Sequence, residues 1–194
     1  MSSFMLTRVF NDFWESLVYS LMGRSEEALG CYKRSIEKDP NYFNAYNNLG
    51  TVSFIVGKKE EGIAAYKKAI DVNPKGAEAY YGLGDAYNDM GRAGEAISYY
   101  KKAIAINPGY AIAYYKLGNT YSLIERYDEA IAAYNRSLEL RPGNPYVYNG
   151  LGMAYYRLGR HKKALALLGK AAKLGFKVDP QILESLKSRH SNPS

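Results

Sequence analysis

The order of apolar and polar residues along this chain repeats every 34 residues. Within residues 77–110, a first apolar face at helical spacing is formed by Tyr80, Leu83, Gly84 and Tyr87. A second face is formed by Ala96, Tyr100, Ala103 and Ile104. These faces predict helices over about 76–90 and 93–106. Gly91 ends the first helix, and Pro108 ends the second, because proline cannot continue a helix. One period is therefore a helical hairpin.

The period is strict in its small and rigid residues. Glycine recurs at Gly50, Gly84, Gly118 and Gly152, and proline recurs at Pro40, Pro74, Pro108 and Pro142. Self-similarity of this length predicts a stack of hairpins, whose usual role is to hold another molecule. A glycine inside a helix costs about 1 kcal/mol relative to alanine. We therefore expect each glycine in the column to permit a close approach between helices.

The columns resemble the signature of a known repeat family. The motifs Tyr80-x-x-Leu83-Gly84-x-x-Tyr87, Ala96-x-x-x-Tyr100 and Pro108 are similar to the tetratricopeptide repeat (TPR), with tyrosine where tryptophan is usual. Departures from the pattern are Ser53 for the second tyrosine, Gly62 for the alanine and Leu168 for the later aromatic residue. The resemblance implies an all-α fold, a right-handed α-solenoid of helix-turn-helix hairpins.

The repeat frame divides the chain. We predict a TPR array over 1–178, made of a degenerate repeat and four full repeats, at 9–42, 43–76, 77–110, 111–144 and 145–178. A capping helix follows at 179–190, with Asp179 at its N-terminus and an apolar side formed by Ile182, Leu183 and Leu186. Residues 191–194 are expected to be a disordered tail.

Twelve of the 20 tyrosines fall in packing columns and are expected in the core. The resemblance implies that the first helices line a concave groove that binds a protein or peptide partner. Candidate partner-binding residues are Asn47, Asn48, Tyr81, Asp85, Asn88, Tyr115, Asn119, Tyr146, Asn149 and Tyr156. Asparagine can bond an extended peptide through both a donor and an acceptor, and tyrosine offers rigid apolar area. No register supplies the cations of the carboxylate clamp found in chaperone adaptors of this family, so that mechanism is not expected.

Two further features break the pattern. Gly82 and Gly150 each add a second glycine to the first helix of a repeat, which indicates either close approach of a partner's backbone or a tolerant surface position.

In the N-terminal helix of the chain, an apolar stripe is formed by Phe10, Phe13, Trp14, Leu17 and Leu21. The stripe indicates self-association, or else an upstream repeat that once covered it; both interpretations stay open.

Charge and composition narrow the class of protein. The net charge is +7, and its basic residues concentrate on the second helices: Lys33, Arg34, Lys67, Lys68, Lys101, Lys102, Arg136, Lys162, Lys163 and Lys170. We interpret this ridge as a solvated convex face. Weak binding of nucleic acid or another anionic surface is the alternative.

Catalytic chemistry is not expected. The sequence offers no catalytic, cofactor-binding or metal-binding motif. Cys31 is the single cysteine, and we recognise neither a signal peptide nor a membrane span, so we expect a cytoplasmic scaffold. A non-catalytic repeat domain of a larger enzyme, such as a glycosyltransferase, remains the alternative.

Overall fold

The computed structural model describes residues 3–191 of the chain and the side chains of residues 12–188. Within that part, all regular secondary structure is α-helical. The helices are α1 (Ser3–Leu21), α2 (Ser25–Lys38), α3 (Phe43–Ile55), α4 (Lys59–Val72), α5 (Ala77–Asp89), α6 (Ala93–Ile106), α7 (Ala111–Leu123), α8 (Tyr127–Leu140), α9 (Pro145–Arg157), α10 (His161–Lys173) and α11 (Pro180–Ser191). The helices predicted at 76–90 and 93–106 are confirmed as α5 and α6. The side chain of Phe10 and the tail residues 192–194 lie outside the described residues.

The turn that follows each first helix needs a left-handed residue. Gly23, Gly57, Gly91 and Gly159 occupy this position at intervals of one or two periods, with φ between 68° and 80°. In the repeat 111–144 the position is held by Glu125, at φ 61°. A side chain is disfavoured in this conformation, so the fourth turn carries local strain that the other turns avoid.

The chain divides into two compact units, residues 1–92 and 93–194. In unit 1, α1 pairs with α2 and α3 pairs with α4, while α5 packs on α3 and α4. Its core cluster consists of Ala28, Leu29, Tyr32, Ala45, Leu49, Val52 and Ala65. Ala28, Tyr32 and Leu49 of this cluster stand in the repeat columns of Ala96, Tyr100 and Leu83, so periodic residues do form part of this core.

In unit 2, α7 pairs with α8 and α9 pairs with α10; α6 packs on α7, and α11 on α10. A core cluster at its end consists of Tyr148, Ala164, Leu168, Ala171, Val178 and Leu186. Asp179 caps α11, because its Oδ1 accepts a hydrogen bond from the backbone N–H of Gln181 at 2.9 Å. Leu186 is fully buried, with Ile182 and Leu183 packed beside it. The predicted cap and apolar side of this helix are confirmed.

Two tyrosine rings lie in slots between glycines. A Cβ built on Gly50 would lie 2.7 Å from Tyr66 Cδ1, and one built on Gly82 would lie 2.4 Å from Tyr66 Cε1. Carbon atoms in ordinary contact are about 3.5–4.0 Å apart. The ring of Tyr66 therefore fits only because both glycines lack a side chain.

The same slot recurs in unit 2, where Tyr134 lies between Gly118 and Gly150. The corresponding distances are 2.7 Å from Gly118 to Tyr134 Cδ1 and 2.7 Å from Gly150 to Tyr134 Cζ. Both interpretations offered above for Gly82 and Gly150, partner approach and surface tolerance, are therefore wrong. These glycines are packing positions, and their partner is the tyrosine of the preceding second helix.

The departures at Ser53 and Gly62 compensate each other through Phe54. A Cβ on Gly62 would lie 2.5 Å from Phe54 Cδ2, so the phenylalanine ring occupies the place of the alanine side chain. The Phe54 ring also stacks on Tyr66, with 6.3 Å between ring centroids. Ser53 is fully buried. In the repeat 43–76, one aromatic residue has thus moved by one position and a glycine makes room for it.

A column of arginine–tyrosine pairs joins the two helices of a hairpin at the turn. Arginine guanidinium groups lie over tyrosine rings in Arg24–Tyr19, Arg92–Tyr87, Arg126–Tyr121 and Arg160–Tyr155, at 4.6, 4.6, 4.9 and 5.9 Å from the ring centroids. Such contacts contribute about 0.5–1 kcal/mol at exposed sites. In the repeat 43–76 the column holds Ser53 and Lys58 instead, and Lys58 pairs with Glu26 at 2.9 Å.

Candidate functional site

A cleft opens on the surface that the first helices α7 and α9 form in unit 2. Its volume is about 340 Å³, and it is lined by Asn119, Ser122, Leu123, Tyr127, Tyr134, Met153, Ala154 and Arg157. α7 and α9 supply its walls, while Tyr127 and Tyr134 reach it from the second helix α8. Polar atoms, aliphatic side chains and one cation therefore meet in a single concavity, as in many ligand sites.

The polar floor of the cleft is formed by the Tyr134 hydroxyl, Asn119 and Ser122, and it depends on the packing of the Tyr134 ring between Gly118 and Gly150. The Tyr134 hydroxyl donates to Asn119 Oδ1 at 2.8 Å and lies 3.3 Å from Ser122 Oγ. Burial raises the pKa of Tyr134 to about 12, although the hydrogen bond with Ser122 opposes that shift. The phenol therefore stays neutral at physiological pH and fixes the orientation of the Asn119 amide.

Unit 1 has a counterpart of this network with different chemistry. The Tyr66 hydroxyl lies 3.0 Å from Thr51 Oγ1. Burial raises the pKa of Tyr66, the Thr51 hydrogen bond lowers it, and the nearby Asp85 carboxylate adds to the rise. Asn47 donates to Asn48 Oδ1 at 3.5 Å, and its own Oδ1 is buried without a hydrogen-bond partner in the described part of the chain. This surface is thus polar and acidic.

Among the predicted groove residues, Asn119 lines the cleft of unit 2. Tyr146 is 59% exposed, and its ring meets Phe176 edge to face at 5.5 Å. Tyr115 lies against Tyr134, and Tyr156 against His161, with ring centroids 6.3 and 5.9 Å apart. Half-buried positions are taken by Tyr81, Asp85, Asn88, Tyr115, Asn149 and Tyr156.

Tyr134 stands one period after Tyr100, in a column that predicts a core residue and no more. Its ring is buried as expected, but its hydroxyl reaches the cleft between α7 and α9. The signal was present in the sequence, in the unexplained Gly150. A glycine 16 residues after a core tyrosine opens the slot through which the hydroxyl passes.

The apolar stripe of α1 is partly covered by its own unit. Phe13 packs into the core of unit 1, with its ring 5.1 Å from that of Tyr42 and 6.1 Å from that of Tyr32. Exposed large apolar side chains on and after α1 are Trp14, Val18, Leu21 and Met22. Leu21 is the extreme case, at 83% exposure. The exposed stripe thus continues toward the C-terminal end of α1.

The second-helix ridge is partly neutralised. Lys33 pairs with Glu61 at 2.6 Å, and Arg136 pairs with Glu139 at 2.7 Å. Lys163 and Lys170 lie over tyrosine rings, at 5.3 and 4.4 Å from the centroids. Several of its cations are therefore engaged with neighbours on the protein surface.

Reactive chemistry is scarce in the described residues. No group of three or more histidine, cysteine, aspartate or glutamate side chains is placed there to hold a metal ion. Cys31 is buried, and burial raises the pKa of its thiol, which disfavours the nucleophilic thiolate. Among the helices described, none combines the length and the apolar character that a membrane crossing requires.

Helical hairpins with a 34-residue period, packed through glycine and tyrosine columns, define an all-α solenoid repeat protein. The chain belongs to the tetratricopeptide repeat family. A model described as "Tetratricopeptide repeat" matches residues 77–143 and 110–175, and a model described as "TPR repeat" matches residues 17–54 and 52–91. The resemblance inferred from the sequence is thus confirmed.

Solved structures of similar fold agree. The crystal structure of MamA is 30% identical, with 90% of this chain and 96% of that chain covered and a TM-score of 0.74. PilF of Pseudomonas aeruginosa is 17% identical, with 98% and 94% covered and a TM-score of 0.83. YrrB, described as a TPR protein with an unusual peptide-binding site, is 22% identical, with 91% and 90% covered and a TM-score of 0.70. No curated protein sequence matches the chain.

Proposed function

We propose that this chain is a non-catalytic scaffold that holds a peptide segment of a partner protein against its first helices. The observation that carries the proposal is the cleft of unit 2, where an oriented amide, two hydroxyls and an exposed aliphatic side chain converge. Leu123 is 67% exposed there and offers an apolar contact to a ligand. An extended peptide would satisfy both the polar and the apolar groups.

The similarity to YrrB, whose description names a peptide-binding site, supports this proposal. Carboxylate-clamp binding is not part of it, because the clamp register from the second repeat holds Asn47, Thr51, Gly82, Ile112 and Lys116. Gly82 in that set is already committed to the Tyr66 slot. A cytoplasmic location also stays a prediction from the sequence.

Site-specific photo-crosslinking in cells tests which surface meets the partner. A benzophenone amino acid replaces Leu123 or Tyr146 on the first helices, or Lys162 on the second helix α10 as the matched exposed control. We expect a discrete adduct from the first two positions and none from Lys162. Equal adducts from all three positions, or an adduct from Lys162 alone, would contradict the proposal.

Self-association through α1 is a second candidate, favoured by the exposed stripe of Trp14, Val18, Leu21 and Met22. Light scattering would compare the chain with a Trp14→Ser/Leu21→Ser variant and with Leu174→Ser, an exposed leucine in unit 2. We expect the mass to fall to that of a monomer in the double variant alone. A monomeric parent chain at every concentration would remove this candidate.

Two alternatives have less support. Nucleic-acid binding needs free cations, yet the second-helix ridge engages several of them with carboxylates and tyrosine rings. No contact within the described residues supports a role as the repeat domain of a larger enzyme.

A further inference from the structure

The net positive charge of the chain lies in its second half. Residues 93–194 contain 15 lysines and arginines against 7 aspartates and glutamates, whereas residues 1–92 contain 11 against 12. The unit that carries the cleft is therefore strongly basic, and the other unit is close to neutral. A basic surface raises the local concentration of acidic ligands and speeds their association.

Three arginines of unit 2 each have a carboxylate partner. Arg126 pairs with Glu129 at 2.5 Å, Arg136 with Glu139 at 2.7 Å, and Arg160 with Asp128 at 3.2 Å. Arg157 differs, because it lines the cleft and makes no ion pair within the described residues. Its guanidinium is always charged and presents parallel N–H donors that match a carboxylate.

An apolar contact lies beside this cation. Leu123, on the last turn of α7, and Met153, on α9, line the same cleft as Arg157. A ligand that reaches the guanidinium would also meet an aliphatic surface and the polar floor formed by Tyr134 and Asn119. The cleft thus offers one ionic contact, one apolar contact and hydrogen bonds for a peptide backbone.

The equivalent surface of unit 1 has the opposite character. Two periods before Met153 and Arg157 stand Asp85 and Asp89 on α5. Two periods before Ser122 stands Phe54, whose ring fills the space over Gly62. Unit 1 thus has two aspartates where unit 2 has Met153 and Arg157, so the basic cleft is not repeated there.

We infer that the cleft between α7 and α9 selects peptide segments in which an acidic residue adjoins an aliphatic one. Arg157 binds the carboxylate, and Leu123 and Met153 contact the aliphatic side chain. This inference rests on the proposed function and specifies the chemistry of the partner. The net charge of unit 2 and the uncommitted guanidinium are the observations that favour an acidic ligand over a basic or purely apolar one.

Selection from a phage-displayed library of random dodecapeptides tests the inference. The baits are the full chain, its Arg157→Glu and Arg157→Gln variants, and Lys173→Glu. Lys173 is exposed on α10 and does not line the cleft, so its variant makes the same change in net charge away from the site. Circular dichroism confirms that each bait is helical.

On the full chain and on Lys173→Glu, we expect enrichment of aspartate or glutamate next to leucine, isoleucine, valine or methionine. On Arg157→Glu, that enrichment should disappear. A synthetic copy of the most frequent selected peptide should bind Arg157→Gln about ten- to a hundredfold more weakly than the full chain in fluorescence anisotropy, as expected for loss of a charged hydrogen-bonded pair. Binding of this peptide should also weaken as salt rises.

Peptides without acidic residues, or acidic enrichment that persists on Arg157→Glu, would overturn this inference while leaving a peptide scaffold intact. Enrichment of basic or purely aromatic sequences would likewise assign a different occupant to the cleft. Failure to select any peptide on any bait would overturn the inference and the peptide-binding function together. If Arg157→Glu is not helical, the anisotropy of Arg157→Gln decides the question.

Discussion

Replacing Gly150 by alanine should destabilise the chain, although alanine is the better helix former. At an unconstrained helical position, the change from glycine to alanine stabilises a helix by about 1 kcal/mol. Gly169 is such a position: it lies within α10, and an added Cβ would meet no atom within 4 Å. Gly169→Ala therefore provides the matched control and should raise the free energy of unfolding by up to about 1 kcal/mol.

At Gly150 the same gain is opposed by two costs. The new Cβ would lie 2.7 Å from Tyr134 Cζ and 2.9 Å from its hydroxyl oxygen, so the ring must move by several tenths of an ångström or more. Overpacking of this kind costs about 1–3 kcal/mol. The displaced hydroxyl would also weaken its bond to Asn119, worth about 0.5–1.5 kcal/mol. We expect a net loss of about 1–3 kcal/mol.

Urea denaturation followed by the far-ultraviolet circular dichroism of the full chain measures both variants. The expected result is a lower midpoint for Gly150→Ala and a slightly higher midpoint for Gly169→Ala. Equal stabilisation by the two substitutions would show that Gly150 is a tolerant surface position after all. It would also remove the argument that the glycine slot places the Tyr134 hydroxyl in the cleft.

Three further substitutions test the Tyr134 hydroxyl, the Phe54–Gly62 contact and the turn at Glu125. Tyr134→Phe should lower the free energy of unfolding by about 1 kcal/mol at pH 8. Because the pKa of Tyr134 is raised to about 12, the folded state favours the neutral phenol. The difference in stability between the parent chain and Tyr134→Phe should therefore decrease as pH rises from 10 towards 12, as measured by paired urea titrations. Gly62→Ala should destabilise the chain by about 1–3 kcal/mol, although alanine occupies this column in the other repeats, because its Cβ would lie 2.5 Å from Phe54 Cδ2; an unchanged urea midpoint would refute the compensation between Phe54 and Gly62. Glu125→Gly should stabilise the chain by about 1 kcal/mol, since it relieves a side chain at φ 61°, and a lower melting temperature would contradict this.

The 34-residue period placed the helices and most of the core because both follow from local spacing. Leu83, Tyr100 and Ala130 are buried where the columns predict them. The period did not explain Gly82 and Gly150, because each glycine packs against a tyrosine of the preceding hairpin. The pattern within one hairpin does not reveal contacts between successive hairpins. The turns after the first helices share a left-handed residue, which is glycine in four repeats. Glu125 occupies the same position in the repeat 111–144 despite the strain on its side chain.

The candidate site was harder to predict than the fold. Groove positions follow from helical register, but register does not tell which cation has a partner. Arg126 and Arg136 each have a glutamate three residues later, which is visible in the sequence. Arg157 has no acidic residue three or four positions away, and that absence was a usable signal. The position of the Tyr134 hydroxyl in the cleft could not be predicted from the sequence, because the column of this residue predicts only a buried ring.

The slot tyrosines imply that this chain can be shortened in steps of two repeats. Gly82 and Gly150 are 68 residues apart, and the residue midway between them is Lys116. Deleting residues 77–110 would therefore align Lys116 with the glycine that Tyr66 requires, whereas deleting 77–144 would align Gly150 there. We expect the longer deletion to give the better folded chain, so that the doublet and not the single hairpin is the module that can be exchanged.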